Sequence, residues 1–356
     1  IEEILKNEKI PVQLDYVLPK RPNVYAFLGG EFTKKPKLML NGHVDTVPGF
    51  NMDYDAYKPF IKNGSIFGRG SCDMKGGIAS FIAAIIAIKR SGIKLDDTVM
   101  FAGVIDEEEC SRGTEHLVKN GFNPEYVLIS EPTGMDLCTR HKGFEWMEVK
   151  MIGRSCHGST PKEGKNAIYA ASYFNQIIQE KLEPIIDSRF DKELGRGSVC
   201  VGKIEGGNDP NIVPDLCSVQ LDRRWLPQES LESVHNEVIE CAKIAAEKYG
   251  CKFEFRPLVE LRASMVNAPY SLDVNDKFVT TMQDILSNVL KKNVEPTYFK
   301  GWSDAGILGN HSDAKCIILG PGNAEQAHAN DEFCSLDEIY ENSEVCFEAI
   351  RKLCRN

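Results

Sequence analysis

The chain has 356 residues, 42% of them hydrophobic and 26% charged, with a net charge of −10. That length exceeds one ordinary core and calls for about two domains, and the acidic balance, with no basic tract, argues against a nucleic-acid or anionic-membrane partner. The longest apolar stretch, Ile78 to Ile88, falls far short of the ~18 residues of a membrane span, so small solutes are the expected ligands.

The chain opens on Ile1 rather than Met, which fits a truncated start, and no charged-then-apolar leader is legible. From Lys37 to Ser130, short β-type runs alternate with one clear helix, Lys75 to Arg90, whose Ile78, Phe81, Ile82, Ile85 and Ile86 recur at helical spacing. This is βαβ logic and predicts an α/β fold with a mostly parallel central sheet. The texture changes near Lys142. Trp146–Ile152 reads as a strand, 166–182 as a helix, 198–205 and 216–226 as strands, 230–249 as a helix stopped by Gly250, and 252–257 as a last strand. That β-α-β-β-α-β order predicts a ferredoxin-like α+β module. A helix at about 276–290 and a strand before Gly320 then resume the first pattern. The expected organisation is a discontinuous domain, 1–144 and 261–356, interrupted by an inserted domain, 145–260. The twelve cysteines include no CxxC pair and read as reduced thiols of a cytoplasmic protein without disulfides.

Five metal-type ligands stand just after strand-like runs or tight turns: His43, Asp73, Glu108, Glu131 and His328. In an open α/β sheet the carboxyl ends of the strands form the ligand crevice, so such residues converge in space. Two imidazoles with three carboxylates suit a pair of zinc ions sharing one carboxylate, and point to metal-assisted hydrolysis. Each residue alone has a plainer reading. His43 could be an ordinary hydrogen-bonded histidine, although Asp45 is placed to accept its second N–H and fix the tautomer. Asp73, in the glycine-rich GRGSCDMKGG, could be a helix N-cap. The run Asp106-Glu107-Glu108-Glu109 could be solvated surface, but it directly follows the buried-looking TVMFAGVI strand, and adjacent carboxylates there can divide labour between metal and water.

Taken together, GHVDTVP, GRGSCDMKGG, DEEECSRG, SEPTG, GRSCHGSTP, LDRRWLP and GPGNAEQAHANDE resemble the successive motifs of the dinuclear-zinc amidohydrolases that include acetylornithine deacetylase, succinyl-diaminopimelate desuccinylase, aminoacylase and glutamate carboxypeptidase. The resemblance spans nearly the whole chain. It implies a zinc-exopeptidase-like catalytic domain, an inserted dimerisation or lid domain, and two Zn2+ per chain, with Co2+ or Mn2+ as substitutes. It further implies that His43 and Glu131 bind one ion, Glu108 and His328 the other, that Asp73 bridges them, and that Glu107 is the general base. His157 is the implied oxyanion donor, delivered from the partner subunit of a homodimer, and Asn211 and Arg224 match the positions that hold a substrate carboxylate. Arg223 competes with Arg224, since neighbours on a strand face opposite ways. A cis peptide between Asp73 and Met74 is also implied. Cys110, where the family has Gly, and a shortened stretch before the His43 strand are departures. His116, His141, His235 and His311 match no ligand position and read as surface or helix histidines.

The expected chemistry is attack on an amide by a metal-bridging hydroxide, with Glu107 moving the proton. The expected substrate is a small N-acyl amino acid. A dipeptidase or carboxypeptidase on the same zinc core is the runner-up, and a non-catalytic metal-binding dimeric scaffold is the rival from another class.

Overall fold

The computed structural model describes residues 1–261 and 265–355. The chain forms two compact units. One is built from Ile1–His141 and the segment beginning at Tyr270, the other from Lys142 through the described residues to Leu261, with Asn267–Pro269. The expected resumption of the first domain at 261 adjoins residues 262–264, which lie outside the described residues.

The first unit is organised on one large sheet. At its centre Val99–Val104, Leu38–His43, Tyr126–Ile129 and Lys315–Ile318 lie side by side and parallel. These strands are buried on both faces and therefore read as continuous apolar runs. Along them the side chains alternate. Leu38, Leu40, Phe101 and Leu128 pack with Ile78, Phe81 and Ile85 on one face, while Met39, Met100 and Val127 pack with Leu117, Ala305 and Leu308 on the other. The Val12–Leu18/Arg21–Leu28 hairpin joins antiparallel through Val99–Val104, and at the other edge Cys138–His141 pairs antiparallel with Lys315–Ile318 and Tyr270–Ser271 and parallel with Thr297–Phe299. A small three-stranded sheet of Phe60–Lys62, Ser65–Phe67 and Phe333–Ser335 stands apart.

The central helix, Gly76–Ser91, lies against the sheet and against the C-terminal helix Leu336–Leu353. Its start is fixed by close approach. A Cβ on Gly77 would meet the Ser130 carbonyl and hydroxyl at 2.4 and 2.3 Å, so only glycine lets the helix begin beside the strand end that carries Glu131. The longer run Ser71–Ser91 does have the length and hydropathy of a membrane span, contrary to the expectation drawn from Ile78–Ile88, but most of its apolar window is buried in this unit.

The second unit has the expected element order. Its strands run Ser198–Gly206, Leu216–Trp225, Gly143–Ile152, Lys252–Pro257 across an antiparallel sheet. The chain order 2-3-1-4 is that of a ferredoxin-like sheet. Ala167–Ile177 and Leu231–Tyr249 cover it. The second of these starts in a reciprocal Ser230/Ser233 capping box and ends at Gly250 in the left-handed conformation. The first helical stretch runs on past 182, through Glu183–Ser188.

Candidate active site

His43 ends the strand Leu38–His43 and is buried. Its Nδ1 lies 3.1 Å from the Asp45 carbonyl oxygen and 3.7 Å from the Asp45 carboxylate. The carboxylate makes its closer contacts elsewhere, accepting the backbone N–H groups of Glu107 and Glu108 at 3.3 and 3.2 Å. Asp45 therefore fixes the imidazole mainly through its carbonyl and the acidic turn through its side chain. With Nδ1 so engaged, Nε2 faces inward, 2.9 Å from Asp73 Oδ1, 3.9 Å from Glu131 Oε2 and 4.0 Å from Glu107 Oε2.

Asp73 stands between two imidazoles. Its Oδ2 is 3.5 Å from His328 Nε2, which lies 2.9 Å from Glu108 Oε2. The segment Ser71–Lys75 leaves helical geometry at Asp73 and Met74, and the Asp73–Met74 peptide is cis, as the resemblance implied. His328 itself has φ +63° and is exposed.

The acidic run divides its labour. Asp106, with φ +66°, turns inward to pair with Arg21 and Arg112. Glu107 and Glu108 face the crevice, and Glu109 is 75% exposed. The structure thus brings His43, Asp73, Glu107, Glu108, Glu131 and His328 to one place. His43, Asp73 and Glu108, and likewise His43, Glu107 and Glu131, have ligand atoms within 4.8 Å of one another.

Burial and the crowding of like charges shape the electrostatics of the cluster. Burial, with Glu131 nearby, pushes the Glu107 carboxyl well above its ordinary value, and burial does the same to Glu131. Burial alone would lower His43, but Asp45, Asp73 and Glu131 outweigh it and hold it well above the usual imidazole range. Asp73 and Glu108 push His328 up to about 10. Glu131 Oε1 is buried with no hydrogen-bond partner among the described residues. Bonds of about 2.0–2.2 Å to a tetrahedral zinc put neighbouring donor atoms roughly 3.3–3.6 Å apart. The 2.9–4.0 Å spacings here bracket that range. Oxygen and imidazole donors of this number and spacing fit divalent ions.

Two further carboxylates in this unit escaped the sequence reading. Asp304 is buried beside the cluster and pushed up to about 6 by burial; its Oδ2 accepts from Thr114 Oγ1 at 2.6 Å. Glu332, fully buried, accepts from the backbone N–H groups of Gly70, Cys72 and Asp73. Neither sits in a pattern that signals its partners, which lie far along the chain: the Thr114 hydroxyl for Asp304, and backbone N–H groups together with Arg69 for Glu332.

The second unit carries the other candidates. His157 is exposed, and its Nδ1 accepts the Ser159 backbone N–H at 3.2 Å, which leaves the proton of the neutral ring on Nε2. The Gly158 N–H donates to the Asn211 carbonyl at 2.7 Å, so His157 and Asn211 sit on adjoining chain segments. Arg224 is part-exposed, forked onto Asp222 and set over the Phe144 ring. Arg223 is buried against Glu229 and Glu237. His116 and His235 lie on helices beside Asp15 and Glu145. His141 departs from its expected surface or helix setting: it ends a strand, fully buried, against the Tyr270 and Trp302 rings.

The sequence profile of peptidase family M20/M25/M40 matches residues 39–352. A probable succinyl-diaminopimelate desuccinylase of Staphylococcus aureus is 27% identical over 98% of this chain and 90% of its own length. An acetylornithine deacetylase of Vibrio cholerae is 28% identical over 96% of this chain and 87% of its own. Among solved structures, a tripeptidase from Staphylococcus aureus superposes with a TM-score of 0.81 at 22% identity, covering 100% of this chain and 91% of that one.

Proposed function

Because the chain belongs to peptidase family M20/M25/M40, we propose that this amide-bond hydrolase is a zinc-dependent deacylase acting on a small N-acyl amino acid. The observation that carries the reading is Glu107, held at the edge of a buried cluster of imidazoles and carboxylates whose spacing fits two divalent ions. In this reading His43 and Glu131 hold one ion, Glu108 and His328 the other, and Asp73 both. Bound there, the ions supply Lewis acidity to the scissile carbonyl and acidify the attacking water. Glu107 takes the water's proton and returns it to the leaving amine. Asp45 keeps the two glutamates aimed by holding their backbone N–H groups. His157 donates from Nε2 to the developing oxyanion, and Asn211 and Arg224 hold the substrate carboxylate, for which the planar guanidinium is suited. The working form is a cytoplasmic homodimer in which the inserted unit serves the partner's site. Burial of nine of the twelve thiols fits a compartment that keeps them reduced.

A panel of N-acetyl and N-succinyl amino acids and short peptides, assayed with and without added Zn2+, tests this directly. Metal-dependent release of free amino acid from the N-acyl members is expected. Cleavage of the peptides alone would replace the deacylase with a dipeptidase or carboxypeptidase, and no hydrolysis of any member with Zn2+ bound would leave the scaffold reading.

A further inference from the structure

We propose that Glu332 is the positioning residue that locks the two ligand-bearing loops of the metal site together; this rests on the metal reading above. Glu332 lies four residues after His328, while its carboxylate reaches the loop that carries Asp73, some 260 residues earlier in the chain. Oε1 accepts the N–H groups of Cys72 at 2.9 Å and Asp73 at 3.0 Å, Oε2 accepts that of Gly70 at 3.0 Å, and Arg69 Nη1 donates to Oε2 at 2.7 Å. The Glu332 carbonyl in turn accepts from Gly68 N–H and from the Tyr54 hydroxyl. One buried residue therefore collects the backbone donors on the approach to Asp73, from a segment whose own end carries His328.

The chemistry requires a carboxylate there. Successive backbone N–H groups turned to one point form an anion-binding concavity, and buried N–H groups must find acceptors. Gly70 makes that curl possible with φ +85°. A glutamine at 332 would offer one acceptor oxygen and turn its NH2 toward donors, leaving backbone N–H groups unsatisfied. The loop would then open toward water, and Asp73 would move relative to His328. Groups standing behind metal ligands in this way commonly change metal affinity by about 10–100-fold.

The test is Co2+ binding to metal-free protein, followed by chelator competition and by the visible absorption of bound Co2+, in wild type and Glu332→Gln, with thermal melting of both metal-free forms. Wild type is expected to take up two Co2+, and Glu332→Gln to bind them about 10–100-fold more weakly with an altered Co2+ spectrum. Arg69→Lys keeps the charge and loosens only the aim of the carboxylate. It is expected to give a smaller fall in the same direction, and it carries the test if Glu332→Gln does not fold. Wild-type affinity and spectrum in the variants, with only the melting temperature lowered, would reduce Glu332 to a fold staple and overturn the proposal. Failure of wild type to bind Co2+ would overturn the metal reading and this proposal with it.

Discussion

Glu107 and Glu108 are chain neighbours with different surroundings, and the difference makes a prediction. Glu108 Oε2 lies 2.9 Å from His328, whereas Glu107 approaches His43 only to 4.0 Å. Glu107→Gln should therefore retain metal and fold while losing about 10²–10⁴-fold in kcat, the size of a general acid–base contribution. Turnover near wild type, with metal content unchanged, would remove Glu107 from that role. The convergence of His43, Asp73, Glu107, Glu108, Glu131 and His328 was legible because each follows a strand end or a glycine-marked turn, and the crevice rule gathers such positions. Glu332 and Asp304 were illegible for a physical reason. A carboxylate that serves backbone N–H groups or a threonine hydroxyl leaves no partner type to search for, and Arg69, the charged partner of Glu332, stands 263 residues away. Asp45 was half-read: its position was clear, but not that its carboxylate would prefer the N–H groups of the acidic turn.

At the scale of elements, legibility followed the strength of local signals. The Leu231–Tyr249 helix announced itself through Ser230 and Gly250. The Val12–Leu18/Arg21–Leu28 hairpin did not, because its turn uses Lys20 at φ +62° where glycine or asparagine would give the signal. The C-terminal Leu336–Leu353 helix buries Asn342 and Cys346 beside Val345, Ala349 and Ile350, a stripe too polar to stand out. Within the inserted unit, Glu148 shows how side chains fix a strand pairing that the pattern alone only suggests. Burial would raise its pKa, but Ser218, Arg256 and Gln220 outweigh this and hold it at about 2. The Ser218 hydroxyl donates at 2.7 Å and Arg256 Nε at 2.6 Å. A folded pKa below the unfolded value of about 4.3 means that the stabilisation is complete above that value and is lost as pH falls toward about 2. Glu148→Gln should cost about 1–3 kcal/mol at pH 7. Urea midpoints taken from pH 7 downward should show that gap narrowing below about pH 4.3. A gap independent of pH would mean the loss is packing rather than charge.

At the scale of the whole molecule, the proposed chemistry draws on both units of the chain. The acidic turn and the ligand cluster belong to one, and His157, Asn211 and Arg224 to the other. If His157 serves the partner's site, the active species is a symmetric dimer, and two separately inactive chains should complement each other. In a heterodimer of His157→Ala with Glu107→Gln, the site on the His157→Ala chain keeps Glu107 and receives an intact His157 from its partner. The other site lacks both. Random exchange makes about half of the dimers heterodimers with one working site in two, so mixing should restore about a quarter of wild-type activity. If His157 acts within its own chain, each site of the heterodimer lacks one group, and complete subunit exchange, verified by mass, would recover nothing.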